Sequence, residues 1–222
     1  MRAICAVAVA MFVALDVGSA DAQSTRGFKD SWFWGVKGGA TFYQVQSDAD
    51  GSLSPMGGVD WLITRTNAGL YAAFDHTFFT DQSVFVNDSI SPVDTVPRRV
   101  FLSGMRRFTL AGMLFPYQRK YLQTYFGLGA TLSQIAKAEP EGTYRNSTQE
   151  RLVISTVREF RTTAHPIVIV GGQLRLLYLS AFAQATTSPA TARFFLFTGN
   201  NWRSTLEAGV RYNIGSSIDP MR

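Results

Sequence analysis

"LEAGVRYNIG", residues 206–215, is the stretch whose reading decides the fold. Leu206, Ala208, Val210, Tyr212 and Ile214 alternate with Glu207, Gly209, Arg211 and Asn213. Successive side chains of a strand point to opposite faces, so this segment has one apolar and one charged face. Two surroundings fit such a strand. In water the apolar face meets a core and the charges meet solvent. In a bilayer the apolar face meets lipid and the charges point into an enclosed interior. The rest of the chain has to choose between them.

The N-terminal end points to export. Residues 1–22 begin with Arg2, run apolar from Ile4 to Leu15 and finish in Ala20-Asp21-Ala22. This is the pattern of a secretory signal with a small-x-small cleavage site before Gln23. The apolar run falls short of the ~20 residues of a spanning helix. Cys5 stands at the start of that run, whereas a lipid-modified cysteine would follow it. The mature chain then has no cysteine. An exported domain without disulfides is expected to rely on an extensive hydrogen-bond network. Loss of Arg2, Asp16 and Asp21 with the leader leaves 20 basic and 14 acidic residues, a net of +6. The basic residues are scattered and the chain is exported, so no nucleic acid is expected as partner. An anionic membrane surface suits the charge better.

Past the leader no apolar run is long enough for a spanning helix, yet 46% of the chain is hydrophobic and 13% aromatic. That content lies in short alternating segments. They are 31–45, 58–66, 69–79, 106–115, 121–134, 159–172, 179–186 and 202–215. At about 9 to 14 residues most exceed the usual 5 to 6 of soluble sheets, and a spanning strand needs about 9 to 11. Short connections (64–69, 116–120, 173–177) alternate with long polar ones (46–53, 80–99, 136–156, 187–201). A meander whose two ends face different compartments produces that order. The reading is therefore all-β: a closed antiparallel up-and-down transmembrane β-barrel of about eight strands. It spans 32–215, after a leader (1–22) and a short segment (23–31), and before a tail (216–222). Pro166 cannot donate to a ladder and is expected above the bilayer or at a bulge.

This answers the opening question. The polar faces carry too much charge for a soluble core, and the apolar faces are too large for a soluble surface. Lipid outside and a polar plug inside satisfies both. Trp32, Trp34 and Tyr212 fall at one end of their strands, and Phe42, Phe78 and Trp202 at the other, as two interfacial aromatic belts would. The inward charges expected to form a network are Lys37, Asp60, Asp75, Arg107, Glu159, Arg161, Glu207 and Arg211. If the first and last strands close the barrel, Trp34 and Tyr212 share a depth. Lys37 then lies opposite about Gly209, within reach of Glu207. Asp60 and Asp75 are expected to face each other and share Arg107.

"WGVKGGATFY" (34–43), "YFGLGATL" (125–132) and "LEAGVRYNIG" resemble the small Gram-negative outer-membrane β-barrels, the eight-stranded OmpA- and OmpX-like proteins. The resemblance covers most of the mature chain. It implies an outer-membrane location, contact with membrane lipid and lipopolysaccharide, insertion by the barrel-assembly machinery, and a monomer. The chain departs from the family in one respect. Many members end on an aromatic residue read by that machinery, whereas here the last aromatic, Tyr212, is followed by "NIGSSIDPMR".

Catalytic chemistry has little to stand on. Asp75 and His76 are adjacent on a strand and point to opposite faces, so they do not share a water. Neither His76 nor His165 sits in the His-x-Ser arrangement of outer-membrane lipid A deacylases. No Cys/His metal spacing occurs and no Gly-rich loop opens a helix, so neither metal nor cofactor is expected. The expected role is non-enzymatic: a structural or surface-interaction barrel. The alternatives are a soluble lipocalin-like barrel holding an apolar ligand and an outer-membrane lipid-modifying enzyme. The first needs the opposite facing of the two strand surfaces, and the second needs a catalytic cluster at the rim.

Overall fold

The computed structural model describes residues 28–43, 52–85, 98–142, 147–176, 178–189 and 202–216. The expected leader (1–22), most of 23–31 and most of the expected tail (216–222) lie outside the described residues. Eight strands run in chain order: β1 (Ser31–Tyr43), β2 (Ser52–Arg65), β3 (Ala68–Phe85), β4 (Arg98–Gln118), β5 (Leu122–Glu141), β6 (Thr162–Leu176), β7 (Leu179–Pro189) and β8 (Trp202–Ser216). Each pairs with the next in antiparallel fashion, and β1 pairs with β8 to close the barrel. The closing register sets Trp34 opposite Tyr212 and Lys37 opposite Gly209, the depth match expected from the sequence. The short turns after β2, β4 and β6 share one end with the start of β1 and the end of β8. The longer connections lie at the other end.

Alternation decides what faces where. Val36, Leu70, Phe74, Leu110, Leu128, Val170, Leu206 and Val210 are all exposed on the outer wall, while their strand neighbours are turned inward. In water this surface would be an apolar patch far larger than a soluble monomer tolerates. A lipocalin-like barrel has the reverse polarity.

Most strands are longer than the sequence reading, and three lengthen most. β3, β4 and β5 reach 18, 21 and 20 residues. Segments read as loop continue the sheet: Thr80 to Phe85 pairs with Ser103 to Arg98, and Ser103 to Arg99 pairs with Lys137 to Glu141. A bulge between Thr77 and Thr80 marks where the extension begins. Opposite it, Gly104 takes φ +63°, a left-handed conformation that favours glycine. Pro166 lies neither above the apolar wall nor at a bulge: it faces outward opposite Ala130 in an unbroken β5–β6 ladder, just beyond Val168–Thr187, where the ladder to β7 ends. Its missing N–H therefore interrupts no bond to that strand.

The second difference is a helix. The sequence pattern predicts loop over 136–156 and strand from 159 onward. Instead α1 (Ser147–Phe160) occupies the connection, and β6 begins only at Thr162. Ser147 and Glu150 have the spacing of a capping box, and Glu150 and Arg158 complement the helix dipole at its two ends. Val153 and Val157, one turn apart, are fully buried against Tyr43, Phe79, Val100, Leu102, Met105 and Ile135. A second apolar cluster, including Phe28, Phe33, Leu62, Met113, Phe115 and Ile169, fills the lumen toward the short-turn end. The interior is thus not polar throughout: the charges lie between two apolar plugs.

Candidate functional site in the barrel lumen

The ionic layer begins with a ring dictated by register. Gly209, Lys37, Gly58, Asp75 and Arg107 are successive cross-strand partners around β8, β1, β2, β3 and β4. The two glycines leave room for the side chains between them. A Cβ on Gly58 would lie 2.5 Å from Asp75 Oδ1, and one on Gly209 would lie 2.9 Å from Lys37 Cα. Lys37 Nζ uses that space to reach Asp75 Oδ1 at 2.7 Å, Glu207 Oε2 at 2.7 Å and the Tyr71 hydroxyl at 3.0 Å. The ammonium thus donates to Glu207 and Tyr71 and forms an ion pair with Asp75. Arg107 Nη2 lies 3.2 Å from Asp75 Oδ2 and 3.3 Å from Glu207 Oε1. Glu207 also accepts from Thr205 Oγ1 (2.9 Å) and Gln184 Nε2 (2.8 Å). Two cations and two carboxylates form a neutral quartet, buried on all sides.

A second pair lies one level nearer the short-turn end. Arg211, the largest fully buried side chain, donates from Nε to both Asp60 oxygens (3.2 Å each) and from Nη2 to Oδ2 (2.8 Å). Its Nη1 donates to Gln173 Oε1 at 2.9 Å, and Gln173 donates onward to Gln123 Oε1. The guanidinium stacks on the Phe182 ring at 3.7 Å from the centroid. Gln184 joins the levels, donating to Tyr71 and Glu207 while accepting from Tyr125 at 3.0 Å.

Two assignments from the sequence are corrected here. Asp60 pairs with Arg211, not with Arg107. The β2–β3 register sets Asp60 opposite Ala73 and Asp75 opposite Gly58, so the two carboxylates do not face each other. Asp60 and Arg211 instead flank Gly35, where a Cβ would lie 2.5 Å from Asp60 Oδ1. Glu159 and Arg161 are not in the lumen. Glu159 is exposed on α1, and Arg161 sits half-buried at the helix–strand junction, its carbonyl accepting from Ile135 N–H. Helical spacing, not strand alternation, governs that segment.

The structure adds residues that the sequence reading did not assign. Gln123, Gln184, Tyr71 and Tyr125 occupy positions whose inward parity was legible, but their part in the network was not. Gln173 falls in a stretch, 173–177, that the sequence pattern assigns to a turn. On the long-loop side of the quartet, Arg203 Nη2 lies 2.6 Å from His165 Nε2. A cavity of about 20 Å³ lies beside Lys37, Arg107, His165, Arg203, Thr205 and Glu207, room for about one water. Asp75 points inward and His76 outward, so they share no site.

The belts are unequal. Among the described residues the exposed Trp and Tyr side chains, Trp32, Trp34, Trp61, Tyr117, Tyr121, Tyr178 and Tyr212, lie toward the short-turn end. Phe42 and Phe78 are exposed toward the opposite end. Trp202 begins β8 there, but its side chain lies outside the described residues.

An apolar outer wall around a buried ionic interior defines the class: a membrane-spanning β-barrel of eight strands with a filled lumen. No protein-family model and no curated protein matches the chain. Among solved structures, Neisserial surface protein A shares this fold with a TM-score of 0.52 at 8% identity, over 82% of this chain and 97% of that one. Two others superpose more loosely. The attachment invasion locus protein of Yersinia pestis, solved with the heparin analogue sucrose octasulfate, gives 0.43 at 14% identity, over 83% and 99%. The outer membrane protein OprG of Pseudomonas aeruginosa gives 0.38 at 11% identity, over 84% and 95%.

Proposed function

We propose that the protein is a non-enzymatic, monomeric barrel of the bacterial outer membrane, with a structural or surface-interaction role. The observation that carries this is the pairing of an apolar outer wall with a lumen in which Lys37 and Arg107 meet Asp75 and Glu207, and Arg211 meets Asp60, between two apolar plugs. Such an interior leaves neither a path for solutes nor an accessible base for catalysis. What remains is the surface: the wall that meets lipid and the long-loop end. The Trp/Tyr belt and short turns face the periplasm in this reading. The extended β3–β5 sheet and α1 face outward. Export ends in cleavage between Ala22 and Gln23, and the assembly machinery inserts the chain in spite of its non-aromatic final residue. Lipid and lipopolysaccharide are its immediate partners.

Fractionation of expressing cells tests this reading. The chain is expected in the outer-membrane fraction, starting at Gln23 by N-terminal sequencing and shifting its gel mobility on boiling. Recovery in the aqueous periplasm would overturn it.

A further inference from the structure

The outer wall breaks its own pattern at one level. On β3 to β6, Phe74, Phe108, Leu132 and Ala164 form an outward apolar row of successive cross-strand partners. The next outward row toward the long loops is His76, Arg106, Gln134 and Thr162. Four polar residues side by side end the apolar band across four strands. Their depth follows from strand geometry. From Tyr117, in the Trp/Tyr belt, β4 climbs roughly 28 Å to Arg106 at ~3.3 Å per residue and ~40° of tilt. The apolar band of such barrels is about 25 Å tall. Arg106 therefore lies at the headgroups of the far leaflet.

The same place holds a groove of about 440 Å³, lined by His76, Phe78, Phe79, Thr80, Ser103 and Gly104. The bulge between Thr77 and Thr80 opens it. Gly104 keeps it open: a Cβ there would lie 3.1 Å from His76 Nε2. The His76 ring meets the Phe78 ring edge-on at 4.6 Å. Arg106 is exposed and forms no ion pair among the described residues. Lys137, opposite Ser103 at the rim, is already paired with Glu139 at 3.0 Å. Arg106 thus has donor capacity to spare, beside an imidazole and directly above an apolar wall.

We propose that His76 and Arg106 clamp a phosphate on the headgroup of an outer-leaflet glycolipid, with its acyl chains lying along Phe74, Phe108 and Leu132. The guanidinium offers two parallel N–H donors to phosphate oxygens, and the imidazole a third from the neighbouring strand. This inference rests on the outer-membrane reading above.

The test is native mass spectrometry of the folded mature protein from detergent containing phosphorylated lipid A, dephosphorylated lipid A or inorganic phosphate. Phosphorylated lipid A is expected to be retained about tenfold better than the dephosphorylated form. Arg106→Ala should remove that preference, Arg106→Lys should keep part of it, and Arg119→Ala at the opposite rim should leave it unchanged. Millimolar inorganic phosphate should not displace the lipid, because the acyl chains contribute to binding. Equal retention of the two lipids, an unaffected Arg106→Ala, or displacement by phosphate alone would each overturn the proposal. Gel mobility with and without boiling verifies folding of every variant. Failure of the clamp leaves a membrane-embedded barrel without lipid preference. Failure of the underlying reading leaves soluble protein in the periplasm.

Discussion

Glu207 holds three protein elements to one point. It accepts from Lys37 on β1, Gln184 on β7 and Arg107 on β4, all of them buried. Removing one member of a buried ionic set costs about 3 to 5 kcal/mol, because the survivors stay desolvated. Glu207→Ala should destabilise the barrel on that scale in urea unfolding from lipid. Lys37→Met added to it restores a neutral Asp75–Arg107 pair, so the double variant should recover part of the loss. Simple additivity would mean that the two side chains are uncoupled. Gly35→Ala probes the second level: its Cβ would meet Asp60 Oδ1 and Arg211 Cγ at 2.5 and 2.7 Å. A loss of about 1 to 3 kcal/mol is expected, the usual penalty for overpacking, and the same unfolding assay reads it. Inward parity made Lys37, Asp75, Arg107, Glu207 and Arg211 legible in the sequence. The partner of Asp60 was not, because pairing depends on register as well as parity. The β2–β3 register differs by two residues from the one that would set Asp60 against Asp75.

At the scale of elements, the strand cores were legible and their ends were not. Lipid forces alternation only within the bilayer. Beyond it, "TDQSVF" (80–85) and "RVFLSGM" (99–105) pair as strands without an apolar outer face, so nothing in their pattern separates them from loop. The helix α1 did leave signals, the Ser147/Glu150 cap spacing and the Val153/Val157 repeat. An expected strand starting at 159 masked them. Because α1 closes the long-loop end through Val153 and Val157, Val153→Asp/Val157→Asp should detach it while the barrel stays folded. Protease added to intact cells should then cleave within 147–160 in the variant and much more slowly in the wild type. Equal cleavage rates would show that the helix does not cap the lumen.

For the whole molecule, the eight alternating segments and the order of short and long connections together made strand number, order and closure legible. They work because a membrane gives the two ends of a meander different tasks. The lumen of eight strands is wide enough only for side chains, and here both ends are plugged. Planar bilayers containing the protein should therefore show no large, steady conductance; such a conductance would mean that the plugs open. The central claim is that the apolar faces meet lipid, and β8 tests it most directly. The sequence from Gln23 onward has no cysteine, so single cysteines in protein that starts there can carry spin labels without background. Labels at Leu206, Ala208, Val210 and Tyr212, and at the inward Thr205 and Asn213, are read in reconstituted bilayers for collision with oxygen, which concentrates in lipid, and with a water-soluble nickel chelate. The account predicts high oxygen and low nickel accessibility at the four outward positions, and low accessibility to both at the two inward ones. High nickel accessibility at Leu206, Ala208 and Val210 would place that face in water and contradict it.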